Sequence, residues 1–234
     1  MKLIKQDKNL KFKKKKHLYT YNNYELESVT TFLNKFFEPF IAKQVAKKLS
    51  NIPKFKAEKK GVRYWLKKWA NTQQQGSLIH NEIDEYITTK GLLEVSLPKS
   101  AQAVKYINNN DLLNKNLLSE VKIFSIKLKL AGTIDGLYFN SDGSVSLLDW
   151  KTSEKIEKES YKGRVGIHNA TKNIPDSNYW HYAIQLNLYK KILESEYDLK
   201  VSKLSLVHLQ DDSYYVFNIP FMEDTVNKML EERK

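Results

Sequence analysis

Three charged residues stand where strand propensity disfavours them. Asp149 follows the apolar run of residues 145–148, and Lys151 stands two positions on. In a strand both side chains point to one face. Asp135 lies in the preceding strand-like segment. Aspartate is a poor strand former, and a buried charge is costly unless it is paired or metal-bound. If Ser141-Asp142-Gly143 is a three-residue hairpin loop with Gly143 in the left-handed region, Asn140 pairs with Ser144. The same register then sets Asp135 opposite Asp149, with Cβ atoms about 4.5–5.5 Å apart. A one-residue slip would separate them onto opposite faces. Two carboxylates that close call for a cation between them. Oxygen ligands beside a lysine suit Mg²⁺ or Mn²⁺, which can lower the pKa of a bound water and polarise a phosphoryl oxygen. Lys151 can orient that water or stabilise charge on the transferred phosphate. The same spacing also fits a plain surface salt bridge at Asp149 with Asp135 in a turn.

These residues need a sheet to hold them. Residues 121–130, 132–139 and 144–151 read as strands, and Asp142-Gly143 marks a turn. Residues 201–209 and 214–219 read as a closing pair of strands. Helical spacing appears after Ser28, a suitable N-cap, at Val29, Phe32, Leu33, Phe36 and Phe37. Pro39 breaks that helix and residues 41–49 resume it. A basic helix is expected over 58–72, with a new one opening at Gly76 and running through His80 to Ile87. Further helices are expected over 101–107, 179–195 and 221–232, and a long polar loop over 153–177.

The chain has 234 residues and net charge +12, but the charge is uneven. The first 69 residues carry +14 and the remainder −2. Residues 1–20 read as a basic, loosely ordered tail, with Lys11-Phe12-Lys13-Lys14-Lys15-Lys16 its densest part. In the basic helix Tyr64, Trp65, Leu66 and Trp69 interleave with Arg63, Lys67 and Lys68. Rings among cations suit nucleic acid, since bases stack on rings while cations meet phosphates. Helical spacing also assigns most of those rings to a core. The chain has no cysteine, which excludes a disulfide framework, a thiolate zinc site, an iron–sulfur cluster and a thiol nucleophile. No apolar run reaches membrane-spanning length and the start lacks an apolar signal core, so a soluble intracellular protein is expected.

Four short motifs occur in one order. They are Gly76-Ser77-Leu78-Ile79-His80, Gly132-Thr133-Ile134-Asp135-Gly136, Asp149-Trp150-Lys151-Thr152-Ser153 and Gln185-Leu186-Asn187-Leu188-Tyr189. Together they resemble the G-x-x-x-H, G-x-x-D, D-x-K-T/S and Q-x-x-x-Y motifs of the PD-(D/E)xK nuclease superfamily, in its RecB-like branch. Ser28-Val29-Thr30 and the run from Asp149 to Lys155 are similar to mitochondrial genome maintenance exonucleases and their viral relatives. The resemblance implies that Asp135 and Asp149 ligate Mg²⁺ or Mn²⁺ with the Trp150 carbonyl as a third ligand. His80 is implied as a further ligand and Lys151 as the catalytic lysine. Gln185 and Tyr189 are implied to brace Lys151 or contact the nucleic-acid backbone. Glu120, at the start of the first core strand, is assigned to the same site.

The expected fold is α+β: a restriction-endonuclease-like core with a central mixed sheet of about five strands flanked by helices. The expected division is a basic tail over 1–20, a helical DNA-binding region over 21–75 and a nuclease core over 76–234. The implied activity is metal-dependent hydrolysis of DNA phosphodiesters, as an exonuclease on single-stranded ends, in replication, repair or recombination. DNA is the expected partner. The alternatives are an exonuclease on double-stranded ends, a non-catalytic nucleic-acid-binding module of the same fold, and a basic protein on anionic membranes.

Overall fold

The structure is a computed structural model, described for residues 9–13 and 18–233. Its centre is a mixed sheet with helices on both faces, an α+β arrangement consistent with a restriction-endonuclease-like core. The strands are β1 (Leu10–Lys13), β2 (Leu18–Tyr21), β3 (Tyr24–Ser28), β4 (Leu118–Ser125), β5 (Leu130–Phe139), β6 (Val145–Lys151), β7 (Val201–Leu209) and β8 (Tyr214–Asn218). The helices are α1 (Val29–Asn34), α2 (Ala42–Ser50), α3 (Pro53–Ala57), α4 (Val62–Thr88), α5 (Pro98–Asn109), α6 (Asn178–Glu196) and α7 (Glu223–Glu231). None is long and apolar enough to cross a membrane among the described residues.

The order along the sheet is β1-β2-β3-β5-β6-β7-β8, with β4 also paired to β5. β4 runs antiparallel along one edge of β5. The other edge is shared: β3 pairs in parallel with Leu130 and Ala131, and β6 pairs antiparallel with residues 136–139. Among the described residues, 132–135 therefore have no strand partner on that side, and a notch opens in the sheet. The β5–β6 hairpin takes the expected register, with Gly136 opposite Leu148 and Phe139 opposite Val145. Gly143 has φ +81°, and Asn140 N–H donates to the Ser144 carbonyl at 2.8 Å.

One face carries α1, α6 and α7 over a core that includes Phe32, Ile134, Leu147 and Leu186. The other carries α4 and α5 over Ile83, Ile107, Leu148 and Trp150. Ser28 caps α1, accepting the Thr31 N–H at 3.0 Å. The segment of α2, α3 and the start of α4 buries little: only Ala46 and Trp65 are buried there.

Four expectations are corrected. Among the described residues the sheet has eight strands, because residues 10–13, 18–21 and 24–28 add three. Leu10, Tyr19 and Leu26 are buried between these strands and Ala131, so the described part of the basic tail is packed. Residues 1–8 and 14–17 lie outside the described residues. No helix opens at Gly76; α4 runs through it without a break. Of the four apolar residues in the basic stretch only Trp65 is buried, while Tyr64 and Leu66 are exposed.

Candidate active site

The notch in β5 is where the sequence-selected residues meet. Asp135 ends the unpaired stretch, and its Oδ2 accepts the Trp150 backbone N–H at 2.9 Å. The carboxylate thus fills the gap where β6 diverges from β5. Pairing stops at Gly136–Leu148, one position before Asp135 would face Asp149. The expected direct opposition of the two carboxylates is corrected accordingly: the register holds, but the strands have separated by that point.

Side-chain alternation also breaks here. Along β5 Leu130 and Ile134 join the α6-side core, and so do Leu137 and Phe139, so the period of two slips between 134 and 137. Along β4 Val121 and Ile123 join that core, with Leu118 packed against it, a slip at the matching place. Glu120 sits in the slip with φ +49°, a conformation uncommon for a residue with a Cβ. Strain of this kind persists only where surroundings fix it, and it gathers at functional sites.

The result is a cluster. One ligand atom each from His80, Glu120 and Asp135 lie within 4.8 Å of one another. His80 reaches in from the middle of α4, with Nδ1 3.6 Å from Asp135 Oδ1. Burial pushes the Glu120 carboxyl up to about 7, with the Asp135 charge adding to it. Asp84, one turn after His80 on α4, accepts the Ser119 hydroxyl and adds a third nearby carboxylate.

Asp149 and Lys151 form the second half. Asp149 is buried, and its Oδ2 lies 2.5 Å from Lys151 Nζ. Burial pushes the Asp149 carboxyl up to about 6, against the pull of Lys151. Burial alone would lower the Lys151 ammonium, but Asp149 and Asp135 more than offset it and hold it above its ordinary value. Lys151 Nζ also sits 4.6 Å from the centre of the Tyr182 ring. Asp149 lies outside the three-residue cluster, though it interacts electrostatically with Asp135 and His80.

Gln185 and Tyr189 come from the face of α6 turned to this pair. Gln185 Nε2 lies 3.4 Å from Asp149 Oδ1 and 3.1 Å from the Tyr189 hydroxyl. Gln185 therefore reaches Asp149, the partner of Lys151, and Tyr189 reaches it through Gln185. Burial and the Asp149 charge hold the Tyr189 hydroxyl well above its ordinary pKa, so it keeps its proton. Gly132 makes room for the Tyr189 ring: a Cβ there would lie 2.3 Å from Tyr189 Cε1. Gly76 does the same for Thr152, whose Oγ1 would lie 3.2 Å from an added Cβ. Tyr182 escaped the sequence reading. Its spacing to Gln185 and Tyr189, at i, i+3 and i+7 on one helix, was the available signal.

One imidazole nitrogen and two carboxylates form a donor set that accepts Mn²⁺ and, less readily, Mg²⁺. The raised Glu120 pKa fits such a use, because a buried carboxylate crowded by another is relieved by a cation.

No family model matches this chain, and no curated protein matches its sequence. Among solved structures, the protein SSO0001 aligns over 56% of this chain and 56% of its own, with 21% identity and a TM-score of 0.30. A candidate exonuclease from Eubacterium rectale aligns over 66% of this chain and 61% of its own, with 13% identity and a TM-score of 0.40. The alignments span less than two thirds of either neighbour's length. At these values neither likeness bears on what this chain does.

Proposed function

We propose that this protein is a divalent-metal-dependent deoxyribonuclease of the PD-(D/E)xK superfamily, RecB-like branch, acting as an exonuclease on single-stranded DNA ends. The observation that carries the reading is the convergence of His80, Glu120 and Asp135 in the β5 notch, beside the ion pair of buried Asp149 with Lys151. His80, Glu120, Asp135 and Asp149 would hold the ion, Mg²⁺ or Mn²⁺, with the Trp150 carbonyl completing the set. A bound ion would supply Lewis acidity and a water more acidic than bulk water.

The chain's own groups do the rest. Lys151, protonated at neutral pH, stabilises negative charge gathering on the phosphate. Tyr182 and Asp149 fix where its ammonium stands. Gln185 and Tyr189 fix Asp149 in turn. The helical region within 21–75, built on α2, α3 and the start of α4, supplies phosphate affinity through its lysines, and residues 76–234 supply the chemistry. A role in replication, repair or recombination follows from that activity.

The test is end-labelled single-stranded and blunt duplex DNA incubated with Mg²⁺, Mn²⁺ or EDTA and separated on a denaturing gel. Stepwise loss of nucleotides from single strands with either metal, abolished by EDTA, is expected. Equal degradation of blunt duplex would overturn the single-strand assignment. Binding without cleavage under every metal would overturn the enzyme. His80→Ala should cut activity strongly, and relatively more in Mn²⁺ than in Mg²⁺.

A further inference from the structure

A groove of about 720 Å³ lies beside the site just described, between the first half of α4 and the start of α5. Thr152, the residue after Lys151, closes its end. Lys67 and Lys68 stand on the α4 wall and Lys99 on the α5 wall. Tyr64 stands at the α4 end with 42% of its surface exposed, and Asn71 lies between it and Thr152. Ile79 and Leu97 make an apolar floor. Asp211 is the one acidic residue in the lining.

We propose that this groove is a subsite for one or two nucleotides of a single-stranded nucleic acid. Its volume is that of a site for a drug-sized ligand, which is the scale of one or two nucleotides. Lys67, Lys68 and Lys99 outnumber Asp211 and Glu154, the latter 3.4 Å from Lys68 Nζ, and the positive excess matches a phosphate backbone. Tyr64 meets Trp65 edge-on at 5.2 Å and keeps exposed ring surface on which a base can stack; a duplex hides its base faces while a single strand offers them. Lys60 Nζ lies 5.5 Å from the Tyr64 ring centre but is paired with Glu58 at 2.5 Å, so the groove's charge comes from its lining lysines.

The subsite is distinct from the metal cluster. Tyr64 and His80 share one helix and are separated by about 24 Å along its axis. The contact of Gly76 with Thr152 stands between them. Lys99 links the two, since its Nζ donates to the Thr152 carbonyl at 2.8 Å. The subsite extends the nuclease reading and rests on it for its place in the reaction, but binding there is measurable without cleavage.

The experiment uses the full chain in EDTA and a fluorescent oligothymidine, read by anisotropy across a salt series. Tyr64→Ala should weaken binding about tenfold, while Tyr64→Phe keeps it. Lys67→Ala should shallow the slope of log affinity against log salt by about 0.7. Lys228→Ala, on the exposed face of α7, should change neither. Thermal midpoints check that each variant folds, and Tyr64 is exposed enough to be replaced. Unchanged affinity and slope in both groove variants would overturn the proposal, as would an equal Tyr64→Ala loss on blunt duplex. If the groove variants lose affinity but the wild-type protein cleaves nothing with Mn²⁺, the nuclease reading falls and the subsite stands. If the protein cleaves and the groove variants bind normally, the subsite falls alone.

Discussion

Asp149 is buried and Lys151 half-buried beside it, so each neutralises a charge that would otherwise be poorly solvated. Lys151→Ala leaves Asp149 without its cation. That carboxyl already lies near 6 and can take up a proton, so the loss should be about 1–3 kcal/mol rather than the larger cost of a fixed buried charge. A urea midpoint measures it, and cleavage by this variant should be undetectable. Glu120 makes the opposite case. Its folded pKa, about 7, lies above the ordinary carboxylate value. Between roughly pH 4.5 and 7 the folded state holds a proton that the unfolded state has released, so metal-free stability falls as pH rises through that window. Glu120→Gln should therefore raise the metal-free thermal midpoint at pH 8 by a few degrees and leave it nearly unchanged at pH 4. It should also remove most of the stabilisation that added Mn²⁺ gives the wild-type protein. The types and spacing of Asp135, Asp149 and Lys151 were legible in the sequence. His80 entered through its G-x-x-x-H motif and Glu120 through its place at the start of a strand; strand alternation alone would not bring Glu120 there, since its position depends on a left-handed residue inside the strand.

At the scale of elements, the notch in β5 depends on what fills it. Tyr189 from α6 occupies the space a side chain at 132 would take. Gly132→Ala should force the ring aside, costing about 1–3 kcal/mol. It should also loosen Gln185 from Asp149, so activity per folded molecule falls as well as stability. Denaturant unfolding beside single-turnover cleavage separates the two effects. The hairpin that carries Asp135 and Asp149 was readable because Gly143 demands its loop, and the loop sets the register. The break between the two strands was not readable, since it arises from β3 and β6 sharing one edge of β5. The length of α4 was misread for a related reason. A glycine usually weakens a helix, but at Gly76 the cost is accepted to let Thr152 approach.

At the scale of the whole molecule, the strands over residues 10–28 belong to the sheet and not to a tail. Leu26 is fully buried, and Tyr19 shares a hydrogen bond of 2.9 Å with Thr133 beside the notch. Leu26→Ala should cost about 2–5 kcal/mol in a urea titration, as a core deletion does. A loss under 1 kcal/mol would show that these strands fold apart from the rest. Lysine density hid β1, yet Leu10 and Phe12 alternate with Lys11 and Lys13 at the period of a strand. The far end closes on the same edge: Arg233 pairs with Glu27 at 3.1 Å and donates to the Leu128 and Lys129 carbonyls. This closure has a cost in time. Glu27 pairs with Leu130, which a ribosome adding about 5–20 residues per second makes some 5–20 seconds later. Through that interval β1 to β3 present an unfinished edge with Leu10, Tyr19 and Leu26 uncovered. Lysines alternating along β1 and crowded just after it repel a second such edge. The charge that draws the finished protein to a polyanion would first have kept the nascent chain from its own kind.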